Sequence, residues 1–366
     1  MIIRGYMHSL TREINLSKDA RELHSSIVFE DLEDARARFA RLADYLKSRN
    51  AELVALELFG KLGYAEIAES FKRTMGACDC PLTHVLPLDE LSEPELAGVR
   101  AISVVGVKPE FKTSQLGSKG VYYKVENYEY CRGLGIEIQT NSESLKDYTF
   151  ANLEEMEELL KLYSMDFSDV VRTWFYNRNI LEWYADFNEG RTSFFNSRKV
   201  FERLLPASTG IGSPNPAGVP IQSAFIALKG AAKHGEVFEI ESPLQCGAPK
   251  YGSSFARAVE FDMPSYKRIM VSGSASIDFV GNTAHFGDIK KQVKLTMDVI
   301  AAILEARGLD FADTLSSVAY CMRPEYIEAF REWMEQNCKI PYVPSYSTVC
   351  RSDLMFEVEL EACRNV

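Results

Sequence analysis

The chain contains a repeated segment, and this repeat limits the folds that it can adopt. Residues 165–176 align with residues 309–320 at a constant offset, and both copies share an Asp, a Phe, a second Asp and a final Tyr. Each copy follows an amphipathic helical pattern, at 153–163 and 289–307, and precedes a second helical pattern and an apolar strand. The same order of elements on both sides predicts a duplicated α+β unit, with helices packed on one face of each mixed sheet.

The length of 366 residues also favours two units, because one hydrophobic core seldom serves a chain of this size. We predict halves at residues 1–232 and 233–366, with the boundary near 230–235. Residues 1 to about 50 are interpreted as an N-terminal elaboration of the first half. Strands are predicted ahead of the helices at 53–58, 101–107, 120–125 and 135–139 in the first half, and at 254–261 and 268–277 in the second.

Composition and charge argue against several functional classes. The net charge of -11 disfavours nucleic acid as a partner, because phosphate binding needs a basic stripe. The apolar stretches are far shorter than the ~20 residues needed to span a bilayer, and the N-terminus lacks a signal-peptide pattern. The eight cysteines form no C-x-x-C pair and the five histidines are scattered, so no metal site is expected. These features predict a cytoplasmic protein with reduced cysteines and no membrane partner.

The part of the chain from residue 251 onward carries four motifs in a fixed order. They are FARA at 255–258, VSGSASI at 271–277, TAHFGD at 283–288 and SDLMFEVE at 352–359. In sequence and order they resemble the first strand, second strand, helix entry and final strand of the YjgF/RidA superfamily. The resemblance implies a RidA-like fold for the second half.

The region before residue 251 indicates which branch of the superfamily the chain resembles. It carries RTWFY at 172–176, YADF at 184–187, Gly-Arg at 190–191 and PASTGIG at 206–212. In this order the motifs resemble the chorismatases, two-halved relatives of RidA that split chorismate into pyruvate and either a dihydroxycyclohexadiene carboxylate or a hydroxybenzoate. The resemblance spans about residues 150–366 and implies a cofactor-independent enzyme with a duplicated RidA-like fold.

Glu357 is the catalytic residue that this resemblance implies. Taken alone, a glutamate in the middle of a strand is usually solvated, but the family has a catalytic glutamate at this position. Loss of pyruvate from an enol ether requires a proton on the vinyl methylene carbon. A carboxylic acid with a raised pKa is a suitable donor, so Glu357 is expected to be the general acid.

Substrate-binding residues are implied in the same way. Chorismate carries two carboxylates, and a guanidinium group binds a carboxylate through paired hydrogen bonds. The expected carboxylate partners are Arg172, Arg191, Arg257 and Arg323, and the expected hydroxyl donors to the ring oxygens are Tyr176 and Tyr251.

Two residues bear on the identity of the product, and a separate segment departs from the family pattern. Cys350 and Gly273 both resemble the 3-hydroxybenzoate-forming type, in which the thiol would favour intramolecular attack and aromatisation. Chorismatases usually carry an arginine just after the Tyr-Gly pair, whereas this chain has Lys250-Tyr-Gly-Ser-Ser254. Lys250 must then replace that arginine, or the substrate differs.

Three functions remain open from the sequence. The first is a chorismatase acting on chorismate or a similar dicarboxylate. The second is a RidA-like enamine or imine deaminase, or a relative acting on another enol ether, in which Glu357 keeps its acid role. The third is a metabolite-binding protein without catalytic activity. RidA proteins are trimers, so this chain is expected to be a monomer that contains the site or a further homo-oligomer.

Overall fold

The fold contains three β-sheets, which the computed structural model describes over residues 10–140, 142, 144–231 and 236–366. We name the three parts the N-terminal unit (residues 10–105), the middle unit (110–228) and the C-terminal unit (237–365). In the N-terminal unit the elements are β1 Leu10–Asn15, β2 Arg21–Phe29, α1 Leu32–Ser48, β3 Glu52–Phe59, α2 Ala65–Thr74, β4 Leu82–Val85 and β5 Ala97–Val105.

The other two units repeat this order with one further strand each. The middle unit consists of β6 Glu110–Thr113, β7 Lys119–Val125, β8 Tyr128–Ile136, α3 Leu145–Lys161, β9 Val170–Asn177, α4 Ile180–Ser197, β10 Ala207–Gly212 and β11 Ile221–Leu228. The C-terminal unit consists of β12 Val237–Ile240, β13 Ala258–Asp262, β14 Tyr266–Ala275, α5 Ile289–Glu305, β15 Thr314–Cys321, α6 Ile327–Gln336, β16 Val343–Tyr346 and β17 Phe356–Asn365.

The strand order shows that all three units share one topology. The sheets run β1-β2-β5-β3-β4, β6-β7-β8-β11-β9-β10 and β12-β13-β14-β17-β15-β16. In each, the last strand lies in the middle of the sheet, antiparallel to its neighbours, and a parallel pair lies at one edge. The predicted duplicated α+β fold is therefore confirmed, and a third copy of the unit precedes it.

The N-terminal strands require a correction. The segments predicted at 53–58 and 101–107 pair with each other as β3 and β5 in the sheet of the N-terminal unit. They are not strands of the middle unit's sheet, which contains the first copy of the repeated segment. Residues 10–50 form β1, β2 and α1 of the same unit rather than an elaboration. The predicted boundary at 232/233 falls within 232–235, outside the described residues.

The sequence repeat has a local structural cause. Asp166 and Asp169 form a reciprocal capping box around a short 3-10 turn just before β9, and Asp310 and Asp313 do the same before β15. The N-terminal unit enters β3 through a turn at Asn50 instead, where the backbone is left-handed. Because the aspartates cap a turn that this unit lacks, its sequence shows no repeat.

The three units meet around a common centre. Phe59 in β3 pairs in register with Gly98, Tyr176 in β9 with Gln222, and Tyr320 in β15 with Glu357. The ring of Phe59 lies 6.4 Å from the rings of both tyrosines. Gly98, Gln222 and Glu357 therefore occupy equivalent positions in the three units.

A buried ion cluster joins the three sheets on their inner faces. Glu22 of the N-terminal unit lies 2.8 Å from Nη2 of Arg132 in the middle unit and 3.1 Å from Nη1 of Arg268 in the C-terminal unit. Arg268 also pairs with Glu361 at 2.5 Å. Burial alone would raise the pKa of Glu22, but the two arginines lower it well below its usual value. The carboxylate is thus charged and linked to every unit.

Among the described helices, none is both long and apolar enough to cross a membrane.

Candidate active site

A cavity lies between the middle and C-terminal units. Residues of α4 and β10 form one wall, and β14, β17 and the loops beside them form the other. Its lining residues are Tyr184, Phe187, Arg191, Ser208, Gly210, Tyr251, Phe255, Arg257, Gly273, Ala275, Ile277, Cys350, Arg351 and Glu357.

The two walls are held together by hydrogen bonds between β10 and β14. The backbone N–H of Ser208 donates to Oγ of Ser272 at 2.8 Å, and the N–H of Gly273 donates to Oγ1 of Thr209 at 3.1 Å. The pairing of β14 with β17 shifts register at this point, between Val271 and Ser274. This bulge turns the N–H of Gly273 toward the neighbouring unit, which fixes the cavity geometry.

Glu357 lies in β17 on the floor of the cavity, with only 5% of its surface exposed. Within the described residues its carboxyl group has no hydrogen-bond partner. Burial and the nearby charge of Glu359 raise its pKa to about 8, although Arg172 and Arg257 act in the opposite direction. The side chain is therefore mostly protonated at neutral pH, as a general acid must be.

Gly273 provides the space that this carboxyl group occupies. A Cβ atom at position 273 would lie 2.0 Å from Oε1 of Glu357 and 3.2 Å from Cγ2 of Thr209. Any side chain here would displace the acid from its place. Sequence reasoning associated Gly273 with the product type, and the structure adds a steric role.

Gly273→Ala is expected to lower kcat for the reaction proposed below by at least about tenfold, because the new methyl group must push the Glu357 carboxyl aside. Gly210→Ala is the matched control, since a Cβ there meets only Phe187 at 3.8 Å. Steady-state kinetics of both variants, with thermal melts to verify folding, would test this. Equal effects of the two substitutions would contradict it.

Arg191 is a buried cation for which the described residues supply no counter-ion. It lies in α4, is 2% exposed, and has no carboxylate within ion-pair distance among the described residues. Nη2 donates to Oδ1 of Asn188 at 2.7 Å, the guanidinium lies 4.8 Å from the ring of Phe187, and Nε has no partner in the described chain. Burial lowers its pKa to about 10. An anion in the cavity would supply the missing charge.

Arg257 is held rigidly in the opposite wall. Its Nε and Nη2 both donate to the carbonyl oxygen of Cys246, at 3.0 and 2.8 Å. The guanidinium also lies 5.4 Å from the ring of Tyr251 and 5.6 Å from that of Phe255. It likewise has no carboxylate partner among the described residues, so it presents a second fixed positive charge to the cavity.

Cys350 also lines the cavity, and its thiol is neutral. Burial and the neighbouring Glu357 raise the pKa of Cys350 to about 12, so a thiolate nucleophile is not available at neutral pH. Tyr184 lies beside it, with its hydroxyl 3.1 Å from Oγ of Ser253. A neutral thiol can shape the cavity or exchange weak hydrogen bonds there.

The structure brings six of the predicted site residues to this cavity and leaves three outside it. The six are Glu357, Cys350, Gly273, Arg191, Tyr251 and Arg257. Arg172 lies behind the floor, where Nη2 donates to Glu359 at 2.9 Å. Tyr176 is buried at the centre of the three units, and Arg323 is exposed at the surface near Glu325.

The structure differs from the sequence interpretation at two basic residues. Lys250, considered as a replacement for the missing arginine, is exposed and does not line the cavity. Arg351 does line it, although no motif singled it out. Its position directly after Cys350 was the one available signal. Aromatic residues of the wall, such as Phe187 in the YADF motif and Phe255 in FARA, could have been inferred from the motifs that contain them.

The fold of the three units is shared with a chorismatase of known structure. A solved structure described as a chorismatase superposes on 93% of this chain and 98% of its own, with a TM-score of 0.65 and 19% sequence identity. At that identity the likeness establishes the fold.

Curated relatives add sequence similarity to the likeness in fold. A 3-hydroxybenzoate synthase of Streptomyces hygroscopicus is 32% identical over 238 residues, which are 56% of this chain and 66% of that protein. A chorismatase of Streptomyces rapamycinicus is 28% identical over 226 residues, 54% of this chain and 64% of that protein. The chain thus spans slightly less than two thirds of the length of these relatives, and no family model matches it. The resemblance to the chorismatases is confirmed.

Proposed function

We propose that this protein is a cofactor-independent chorismatase that cleaves chorismate to pyruvate and 3-hydroxybenzoate. The observation that carries the proposal is a protonated Glu357 in one cavity with the unpaired, buried Arg191. A neutral acid and an uncompensated cation suit a substrate that is anionic and must be protonated. The two curated relatives bear the names of this activity.

In this mechanism the arginines orient the substrate and Glu357 supplies the proton. One carboxylate of the substrate binds Arg191 and Arg257 inside the cavity, which places the vinyl methylene carbon of the enol ether over the carboxyl group. Proton transfer from Glu357 to that carbon breaks the C=C π bond and leaves an oxocarbenium ion at the ether carbon. The Glu357 carboxylate left by this proton transfer lies beside the cation and stabilises it.

Product formation follows from attack by the neighbouring ring hydroxyl. Its oxygen forms a bond to the ring carbon that bears the ether while the ether C–O bond breaks, and pyruvate leaves as the ketone because its methyl group is already formed. The bond between this oxygen and its original ring carbon then breaks, and the oxygen keeps its hydroxyl proton. Loss of a ring proton to the Glu357 carboxylate then restores the acid and gives the aromatic hydroxybenzoate. The atoms of chorismate equal those of the two products, so water is not consumed. The uncharged Cys350 disfavours attack by water at this point.

The test is to incubate the purified protein with chorismate, couple pyruvate release to lactate dehydrogenase, and identify the aromatic product by chromatography. Pyruvate together with 3-hydroxybenzoate supports the proposal. Pyruvate with a dihydroxycyclohexadiene carboxylate would leave the acid role intact and overturn the product. Hydrolysis of a 2-imino acid without release of pyruvate from chorismate would favour a RidA-like deaminase.

The pH dependence of kcat/KM is expected to follow the protonation of Glu357. Its pKa is about 8, so the acid form predominates at neutral pH and is lost at higher pH. Activity should be level below about pH 7 and fall roughly tenfold per pH unit above the pKa. The thiol of Cys350, with a pKa of about 12, does not titrate in this range. A rate that rises between pH 7 and 9 would contradict the assignment.

We also propose that the protein acts in the cytoplasm and that one chain forms a complete site. All eight cysteines are free, which suits a reducing compartment. Both walls of the cavity come from the same chain, so the proposed reaction does not need a second copy. A specific activity that stays constant as the protein is diluted would support a site formed by one chain.

A further inference from the structure

An outer groove leads from the protein surface to the active-site cavity. It is lined by one face of α4, including Ala185, Asn188, Glu189, Thr192 and Ser193, and by the 251–253 segment opposite. Three residues line both the groove and the cavity: Tyr184, Tyr251 and Arg351. We call these three residues the portal, because a ligand passing from the groove to the cavity must move between them.

Arg351 is fixed in the portal by its neighbours. Its Nη1 donates to the carbonyl oxygen of Gly281 at 2.8 Å, and its guanidinium lies 5.5 Å from the ring of Tyr251. Gly281 in turn lies against Tyr251, since a Cβ at this glycine would be 3.2 Å from the tyrosine ring. The guanidinium, held by this hydrogen bond and by the adjacent ring, is thereby preorganised, which reduces the entropy lost when it binds an anion.

Within the described part of the chain, no carboxylate neutralises the charge of Arg351. Among the described residues no carboxylate lies within 4.0 Å of it, and its Nε and Nη2 make no hydrogen bond to the described chain. Most other buried arginines have a carboxylate partner, as Arg100, Arg132, Arg172 and Arg268 do. Arg191, Arg257 and Arg351 have no carboxylate partner among the described residues, yet all three line one cavity in a chain of net charge -11.

The three unpaired arginines also differ in depth. Arg191 and Arg257 are buried inside the cavity, at 2% and 3% exposure, whereas Arg351 lies half-buried at its mouth. A substrate with a single carboxylate would need only the inner pair. An elongated dianion would place one carboxylate inside and the other at the portal, between Arg351 and the solvent.

We propose that Arg351 binds the second carboxylate of a dicarboxylate substrate at the portal and makes the site selective for dianions over monoanions. This inference rests on the proposed function for the identity of the substrate as chorismate. The binding of two separated carboxylates can be measured without any turnover. Lys250 is exposed and does not line the cavity, so it has no part in this contact.

The experiment compares Arg351→Gln and Arg351→Lys with Arg178→Gln. Arg178 is a matched control, because it is an exposed arginine whose Nη1 also donates to a glycine carbonyl, that of Gly218 at 3.2 Å, outside the cavity. Binding of 3-(carboxymethoxy)benzoate and of benzoate is measured by calorimetry, and KM and kcat are measured for chorismate. Thermal melts verify that each variant is folded.

For Arg351→Gln we expect affinity for the dicarboxylate to fall by at least about tenfold, as for a lost charge-assisted hydrogen bond. Affinity for benzoate should change less than about twofold, and KM for chorismate should rise while kcat stays within about threefold. Arg351→Lys should retain part of the affinity because it keeps the charge without the planar fork. A purely structural role of Arg351 would weaken both ligands together.

Two results would overturn the inference: equal losses for both ligands in Arg351→Gln, or a wild-type protein that binds the dicarboxylate no better than benzoate. Failure of the proposed function has a different signature. In that case the wild-type protein releases no pyruvate from chorismate, while the calorimetric comparison of the two ligands still decides the role of Arg351.

Discussion

Glu357→Gln is expected to lower kcat for pyruvate release by about 10²–10⁴-fold, the usual contribution of a positioned general acid. Glutamine has nearly the same shape and is uncharged, like the protonated carboxyl that it replaces, but its amide cannot protonate a vinyl carbon. KM should change little, because the arginines that hold the carboxylates are left in place. Coupled assays of pyruvate release measure both constants.

The thermal melt separates this effect from misfolding. At neutral pH the buried carboxyl is mostly uncharged, since its pKa is about 8, so the amide introduces no new charge imbalance and the variant should melt near the wild type. Glu239→Gln is the control for the substitution itself, because Glu239 is an exposed glutamate away from the cavity that accepts a hydrogen bond from the N–H of Leu205. Full turnover by Glu357→Gln would remove the proposed acid and with it the mechanism.

Glu22→Gln is expected to reduce the free energy of unfolding by about 3–5 kcal/mol, the usual cost of removing one partner from a buried ion pair. The substitution leaves Arg132 and Arg268 buried with less compensation, and these arginines belong to two different units. Because Glu22 is held charged by both, its removal weakens the contacts among all three sheets at once.

Chemical denaturation followed by fluorescence would measure the loss. Glu332→Gln serves as the control, because Glu332 forms a surface pair with Lys290 in which both side chains are largely exposed, and such pairs contribute little. A Glu22 variant as stable as this control would show that the cluster is dispensable. If the variant cannot be purified folded, Arg132→Met should be less severe, since it leaves Glu22 paired with Arg268.

The repeated α+β architecture could be predicted because its signal is local. The capping aspartates before β9 and β15 recur at a fixed spacing, and helical periodicity marks α3 and α5. The N-terminal unit has the same topology without those aspartates, so its strands were assigned to the wrong sheet. Strand pairing depends on contacts between distant residues, which a single sequence does not display.

The predictions of site residues were right where the side chains of the motif point into the cavity. They were wrong where the alternation of side chains along a strand directs them to the opposite face. Arg172, Trp174 and Tyr176 lie on one face of β9, which faces the centre of the molecule. The cavity is reached from the other face, where Phe175 packs on Phe187. A motif such as RTWFY does not say which face serves the ligand. Arg351 was missed because it belongs to a loop without periodicity.

The equivalence of Gly98, Gln222 and Glu357 has a consequence for how such a molecule can change. In a trimer of identical subunits every substitution appears at three interfaces together, so each interface must serve both packing and chemistry. Here Gln222 donates a hydrogen bond to Glu137, and Gly98 lies against Val343, which leaves no room for a ligand at either position. When the units are joined in one polypeptide, two of the three interfaces between them can serve packing alone. The two sides of the third interface can then differ from each other and fit a molecule whose two ends are unlike.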